Sequence, residues 1–202
     1  MKNVVLISAV QRHSAFQDDL SRKLLGKTLV QRAIDKAQEI GIPKAQIYVC
    51  SNSELVCLTA DRAGVKSFFD LNLGVKDSES LENFQVFLQR ICQYADSILY
   101  LSPYAPLLKV HALHEAEELL RSDDVDVVTG VRFAHGDNID WEPENLATRF
   151  FEYRHRKIEM HSDAFMWCKA TALTKFKKNR LRISNVSLDE DTFEVRSHQD
   201  WW

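Results

Sequence analysis

Near the N-terminus, Val4-Val5-Leu6-Ile7-Ser8-Ala9-Val10 is an apolar run broken only by one serine. A run of this length without polar alternation predicts a strand buried on both faces, and such strands belong to parallel sheets covered by helices. The chain then repeats the unit. Leu29, Val30, Ala33, Ile34 and Ala37 recur at helical spacing, and Gly41-Ile42-Pro43 punctuates the helix end. Ile47-Tyr48-Val49-Cys50 predicts a second strand. Ser53 is the expected cap of a helix over Glu54–Ala63, which Gly64 closes. Val65–Phe69 is a short strand, and Asp70–Ser78 is a polar loop. Phe84, Phe87, Leu88 and Ile91 share one face of a helix over Ser80–Gln93. Ser97–Leu101 is a strand, Ser102–Leu108 a loop with two prolines, His111–Arg121 a helix and Val125–Val131 a further strand.

Strands alternating with helices predict a three-layer α/β/α sandwich around a mainly parallel sheet, of Rossmann-like type. Ligands of such sheets sit beyond the carboxyl ends of the strands. The loops to watch are therefore Ser8–Lys27, Ser51-Asn52, Asp70–Ser80 and Ser102–Leu108. Beyond Phe133 the rhythm weakens. Phe133–Asn145 reads as an excursion and Glu152–Lys157 as a charged helix or turn. Ala164–Cys168 is a strand, Ala170–Phe176 a short helix and Phe193-Glu194-Val195 a last strand. Ser197 followed by Gln199-Asp200-Trp201-Trp202 looks like a capped helix start, so the chain reads as truncated in mid-element.

At one domain per ~150 residues, 202 residues predict a single domain over 1–202. With 45% hydrophobic and 27% charged residues, disordered and fibrous classes are excluded. No stretch approaches the ~20 apolar residues of a membrane span, and the first apolar run is too short for a signal peptide. A net charge of −3 argues against nucleic acid as a partner. Cys50, Cys57, Cys92 and Cys168 form no CxxC pair, which predicts free thiols in a reducing compartment, hence a cytoplasmic protein. Single features carry little chemistry. Asp189-Glu190-Asp191 and the basic stretch from Lys169 to Arg182 read as solvated surface, His111 and His114 lack a third ligand, and Cys50 lacks a base.

The opening strand, a polar loop, then Lys23-Leu24-Leu25-Gly26-Lys27-Thr28-Leu29 and a helix resemble the sugar-acid cytidylyltransferases, the CMP-sialic acid synthetases and their relatives. That family opens on an apolar strand, P-A-R-G-G-S-K, R-K-N and G-K-P-L, and the spacing from Ser8 to Leu29 matches without a gap. Tyr100-Leu101-Ser102-Pro103-Tyr104-Ala105-Pro106-Leu107 is similar to its L-Q-P-T-S-P-L-R loop. Ser51-Asn52 stands where the family has S-T-D, Asp77–Ser80 near its D-x-A-S, and Ser162-Asp163-Ala164-Phe165 resembles its N-G-A-(F/I) turn.

The resemblance implies attack of a sugar-acid hydroxyl on the α-phosphate of CTP, with Mg²⁺ as cofactor and a homodimer built through residues 133–160. It places Arg12 and Arg22 on the triphosphate as catalytic residues. Ser8, Ala9, Ser14, Ser51, Asn52 and Ser80 fall on the nucleotide side, and Ser102, Tyr104 and Asp163 on the acceptor side. The chain departs from the family where phosphate is handled. The family's loop arginine falls on Val10, its lysine on Ser14 and its R-K-N on Asp18-Asp19-Leu20. Its metal-binding D-I-D falls on Asp189 and Asp191, or, keeping the whole element, on Glu194 and Arg196. A guanidinium cannot ligate magnesium, so the resemblance implies weak or absent turnover, or a catalytically silent binding or assembly domain of a larger polysaccharide-synthesis protein.

Overall fold

The computed structural model describes residues 2–11, 19–75, 77–135, 157–175, 181–189, 192 and 194–195. The first strand, β1, spans Asn3–Ser8. A small ribbon follows, β2 (Lys23–Leu24) and β3 (Lys27–Thr28), closed by a two-residue Leu25-Gly26 turn. Thr28 then starts α1 (Leu29–Glu39) through a full capping box: its hydroxyl accepts from the Gln31 amide, and the Gln31 side chain accepts from the Thr28 amide. Next come β4 (Ile47–Ser51), α2 (Glu54–Arg62), β5 (Lys66–Phe69), α3 (Ser78–Cys92) and β6 (Ser97–Leu101). They are followed by α4 (Val110–Leu120), β7 (Val127–His135), β8 (Lys157–Lys169), α5 (Ala170–Lys175) and β9 (Ile183–Ser187).

Seven strands form one sheet in the order β5-β4-β1-β6-β8-β7-β9, with β8 alone antiparallel to its neighbours. Alternate residues of each strand feed two apolar layers. Val5, Ile7, Val49, Leu99 and Trp167 pack under α1, α2 and α4, while Val4, Leu6, Cys50, Ile98 and Cys168 pack under α3 and α5. The sandwich is the expected one. Burial on both faces explains why β1 carries no polar alternation.

Several details differ from the sequence reading. Ser53 precedes α2, but its side chain makes no capping bond; its amide instead donates to Ser51 Oγ. Asp77 caps α3 by accepting from the Ser80 amide. Phe133 continues β7 to His135, and Lys157 opens β8 rather than ending a helix, so both ends of the proposed excursion are sheet. Among the described residues the last strand is Ile183–Ser187, and Glu194 and Val195 lie in no strand. Residues 136–156, with the proposed dimer aromatics Trp141, Phe150, Phe151 and Tyr153, lie outside the described residues, as do Ser197 to Trp202. All four cysteines are free. Among the described residues no helix is long and apolar enough to cross a membrane.

Candidate functional site

The chain leaves β1 through α1 toward β4 on one side, whereas β6 lies on the other. Strand order therefore reverses between β1 and β6, the place where a doubly wound sheet opens a crevice. A cavity of about 640 Å³ lies there, walled by Ser8 of β1 and Val10 of the loop after it, Tyr100, Ser102 and Tyr104 from β6 and its loop, and His161 to Asp163 from β8. A second lobe of about 300 Å³ shares Ser8, Val10, Gly74 and Tyr100 and extends under α3 between Leu6, Cys50, Leu73, Ser80 and Phe84. Ser8 and Val10 stand at the junction of the two lobes.

Hydrogen bonds fix the loops around this junction. Ala9 donates to the Cys50 carbonyl at 2.8 Å and accepts from Ser51 Oγ at 2.6 Å, while Asn52 Oδ1 accepts from the Gln11 amide at 2.9 Å. Ser51 and Asn52 thus stitch the loop after β1 to the loop after β4, and neither lines the cavity. Gly74 (φ +88°) meets Val10 so closely that a Cβ there would lie 2.6 Å from Val10 Cγ1. No side chain fits at position 74 beside this valine.

The proline loop is held from three sides. Ser102 donates its amide to the Ala164 carbonyl (2.9 Å), the Tyr104 hydroxyl donates to the Val10 carbonyl (3.0 Å), and Lys36 of α1 donates to the carbonyls of Ala105 (2.9 Å) and Pro106 (2.6 Å). Burial, helped by Arg32 and opposed by Glu39, lowers the Lys36 pKa from 10.5 to about 8. Between those two values the unfolded chain binds more protons than the folded one, so Lys36 makes stability rise with pH across that window. Lys36→Met does not titrate. Denaturant melts at pH 7.5, 9 and 10.5 should therefore show the native chain gaining on the variant by up to about 3 kcal/mol as pH rises. A gap constant with pH would contradict a buried, reluctantly charged amine.

On the far wall, Glu194 is buried and its Oε1 accepts from Ser162 Oγ at 3.0 Å and from the Asp163 amide at 2.8 Å. Asp163 itself is exposed at the cavity. Asp189 lies elsewhere, in an ion pair with Lys109 at 3.1 Å. Among the described residues no three His, Cys, Asp or Glu side chains gather as a metal site. With one carboxylate turned to Ser162 and the other to Lys109, these donors do not fit the oxygen octahedron of magnesium.

The structure thus brings Ser8, Ser80, Ser102, Tyr104 and Asp163 to one two-lobed cleft, with Ala9 buried just behind it. It does not bring Arg22, which is exposed in the turn before β2. Asp19, expected to add charge to the loop, is buried with Oδ1 on the Leu20 amide at 2.7 Å. Arg12, Ser14 and Asp191 lie outside the described residues. Tyr100 and Phe165, at the ends of two of the quoted motifs, also line the cavity, as do Thr129, His161 and Met166, which no motif marks.

No protein-family profile matches the chain, and no curated protein matches it. Solved structures do match. CMP:2-keto-3-deoxy-manno-octonic acid synthetase complexed with CTP superposes with a TM-score of 0.66 at 13% identity, covering 96% of this chain and 94% of that one. The 4-diphosphocytidyl-2C-methyl-D-erythritol synthase of Anaerococcus prevotii gives 0.65 at 10% identity, covering 99% and 92%. Bifunctional IspDF of Campylobacter jejuni gives 0.67 at 14% identity; the match covers 99% of this chain and 53% of that longer protein. The fold is a Rossmann-like α/β/α sandwich. More narrowly, it is the fold shared by these cytidylyltransferases.

Proposed function

We propose that the cleft between β1 and β6 is a cytidine-nucleotide site and that the chain is a cytidylyltransferase-like protein of sugar-nucleotide or surface-polysaccharide synthesis. The observation that carries this reading is the two-lobed cavity at the strand-order reversal, with Ser8 and Val10 at its junction. A fold neighbour described with CTP bound supports the choice of nucleotide. In this reading the lobe under α3 takes the base, and the lobe with Ser102, Tyr104 and Asp163 takes a sugar acid whose hydroxyl attacks the α-phosphate. Val10 stands where the resemblance calls for an arginine, and it packs against Gly74. Turnover is therefore weak or absent. The same valine favours a second reading, a silent binding or assembly domain that keeps the cleft and not the chemistry.

The protein acts in the cytoplasm as a homodimer, and light scattering at tens of micromolar should give twice the chain mass; a clean monomer would remove the dimer from the account. Base selectivity tests the site itself. Because anything that binds only the folded state raises the melting temperature, CTP should shift it more than equal ATP or GTP. Equal shifts would mean that the lobe under α3 reads no base.

A further inference from the structure

We infer that Glu194 is a positioning residue, whose buried carboxylate holds the Ser162-Asp163 turn so that Asp163 faces the cleft, and not a metal ligand. The inference rests on the cleft being the working site. β8 shifts register on β7 at this turn: Thr129 of β7 pairs with Met166, yet the next residue, Gly130, pairs with Ser162, leaving three β8 residues unmatched on β7. Such a bulge re-aims side chains and needs support, because its backbone leaves the ladder. Glu194 supplies it through one oxygen, taking the Ser162 hydroxyl and the Asp163 amide together.

The segment that carries Glu194 is itself clasped to two other walls. Val195 donates its amide to the Tyr104 carbonyl at 2.7 Å, and Arg132 of β7 donates to the Thr192 carbonyl at 2.9 Å. Tyr104 reaches on to the Val10 carbonyl. A hydrogen-bonded strap therefore runs from the loop after β1, through the proline loop, Val195 and Glu194, to the β8 turn. Glu194 Oε1 spends both of its lone pairs on shaping the protein, and among the described residues no three His, Cys, Asp or Glu side chains gather as a metal site.

Glutamine separates the two roles, because Glu194→Gln keeps the acceptor oxygen and removes the charge, whereas Glu194→Ala removes both. Hydrogen exchange of the full chain needs no ligand. Glu194→Ala should speed exchange at residues 162–164 at least tenfold while β1 stays protected, and Glu194→Gln should stay close to the native chain. CTP titrations with Mg²⁺ and with EDTA form the second arm. Glu194→Ala should weaken CTP about tenfold, the loss expected of one charge-assisted hydrogen bond, and Glu194→Gln should restore most of it with an unchanged Mg²⁺ dependence. Unchanged exchange at 162–164 in Glu194→Ala, or a glutamine variant that loses its Mg²⁺ dependence, would overturn the assignment. Failure of CTP to bind the native chain would sink the functional reading instead, and exchange would still decide the role of Glu194.

Discussion

Trp167→Ala should destabilise the protein by about 3–5 kcal/mol, the range for deleting a large aromatic from a packed core. Trp167 is fully buried on β8, in the layer beneath α4, and its indole Nε1 donates to Ser97 Oγ at 3.0 Å. Ser97 donates to Asn3 Oδ1 at 2.8 Å, and Asn3 Nδ2 donates to Glu117 at 2.9 Å, so the ring anchors a polar chain through β1, β6 and α4. Alanine leaves both a cavity and an unmet acceptor. In a chain of this size the loss corresponds to a fall in melting temperature on the order of 10 °C. Trp167→Phe keeps most of the volume but leaves the same acceptor unmet, and should lose about 1–3 kcal/mol. A melting temperature within a few degrees of native for the alanine variant would contradict the packing described.

A second large effect concerns turnover. With CTP·Mg and a nine-carbon sugar acid, pyrophosphate release by the native chain should stay near background. Removing one donor that stabilises transition-state charge typically costs ~10²–10³ in rate. Val10 and Ser14 stand where the resemblance calls for two cations, and Val10 lies against Gly74 at the lobe junction. Such losses do not add simply, but together they remove most of the advantage. The double variant Val10→Arg and Ser14→Lys supplies the two cations that the resemblance calls for and should release pyrophosphate measurably faster. Brisk turnover by the native chain would refute the weak-site reading and return Arg12 and Arg22 to the catalytic list.

The sheet was legible wherever burial on both faces left an unbroken apolar run, as in β1, β4 and β6, and wherever a helix showed one apolar face. β8 hid its first half. In sequence, Ile158 and Met160 alternate with Glu159 and His161 at the strand period, but the charges just before them read as a helix or turn. β9 offers only Ile183 and Val186 among polar residues; it forms because β7 needs a partner, with Arg182 clamped to Asp126 at its start. For the cleft, the rule that ligands sit beyond strand ends picks out loops whose Ser8, Ser80 and Ser102 line the cavity. Ser51 and Asn52 sit in the loops the rule picked out and spend their polar groups on holding them. Local pattern does not reach the pairing of Glu194 with residues some thirty positions away, nor the grip of Lys36 on the proline loop. Both are products of the folded geometry.

The most direct test of the nucleotide site is calorimetric titration of CTP·Mg into the native chain and into Ser8→Phe. Residue 8 lines both lobes, so the larger side chain should fill their junction without entering either core layer. The account predicts weak, saturable binding at one site in the native chain and its loss in Ser8→Phe. No binding by the native chain, or binding indifferent to the phenylalanine, would contradict it.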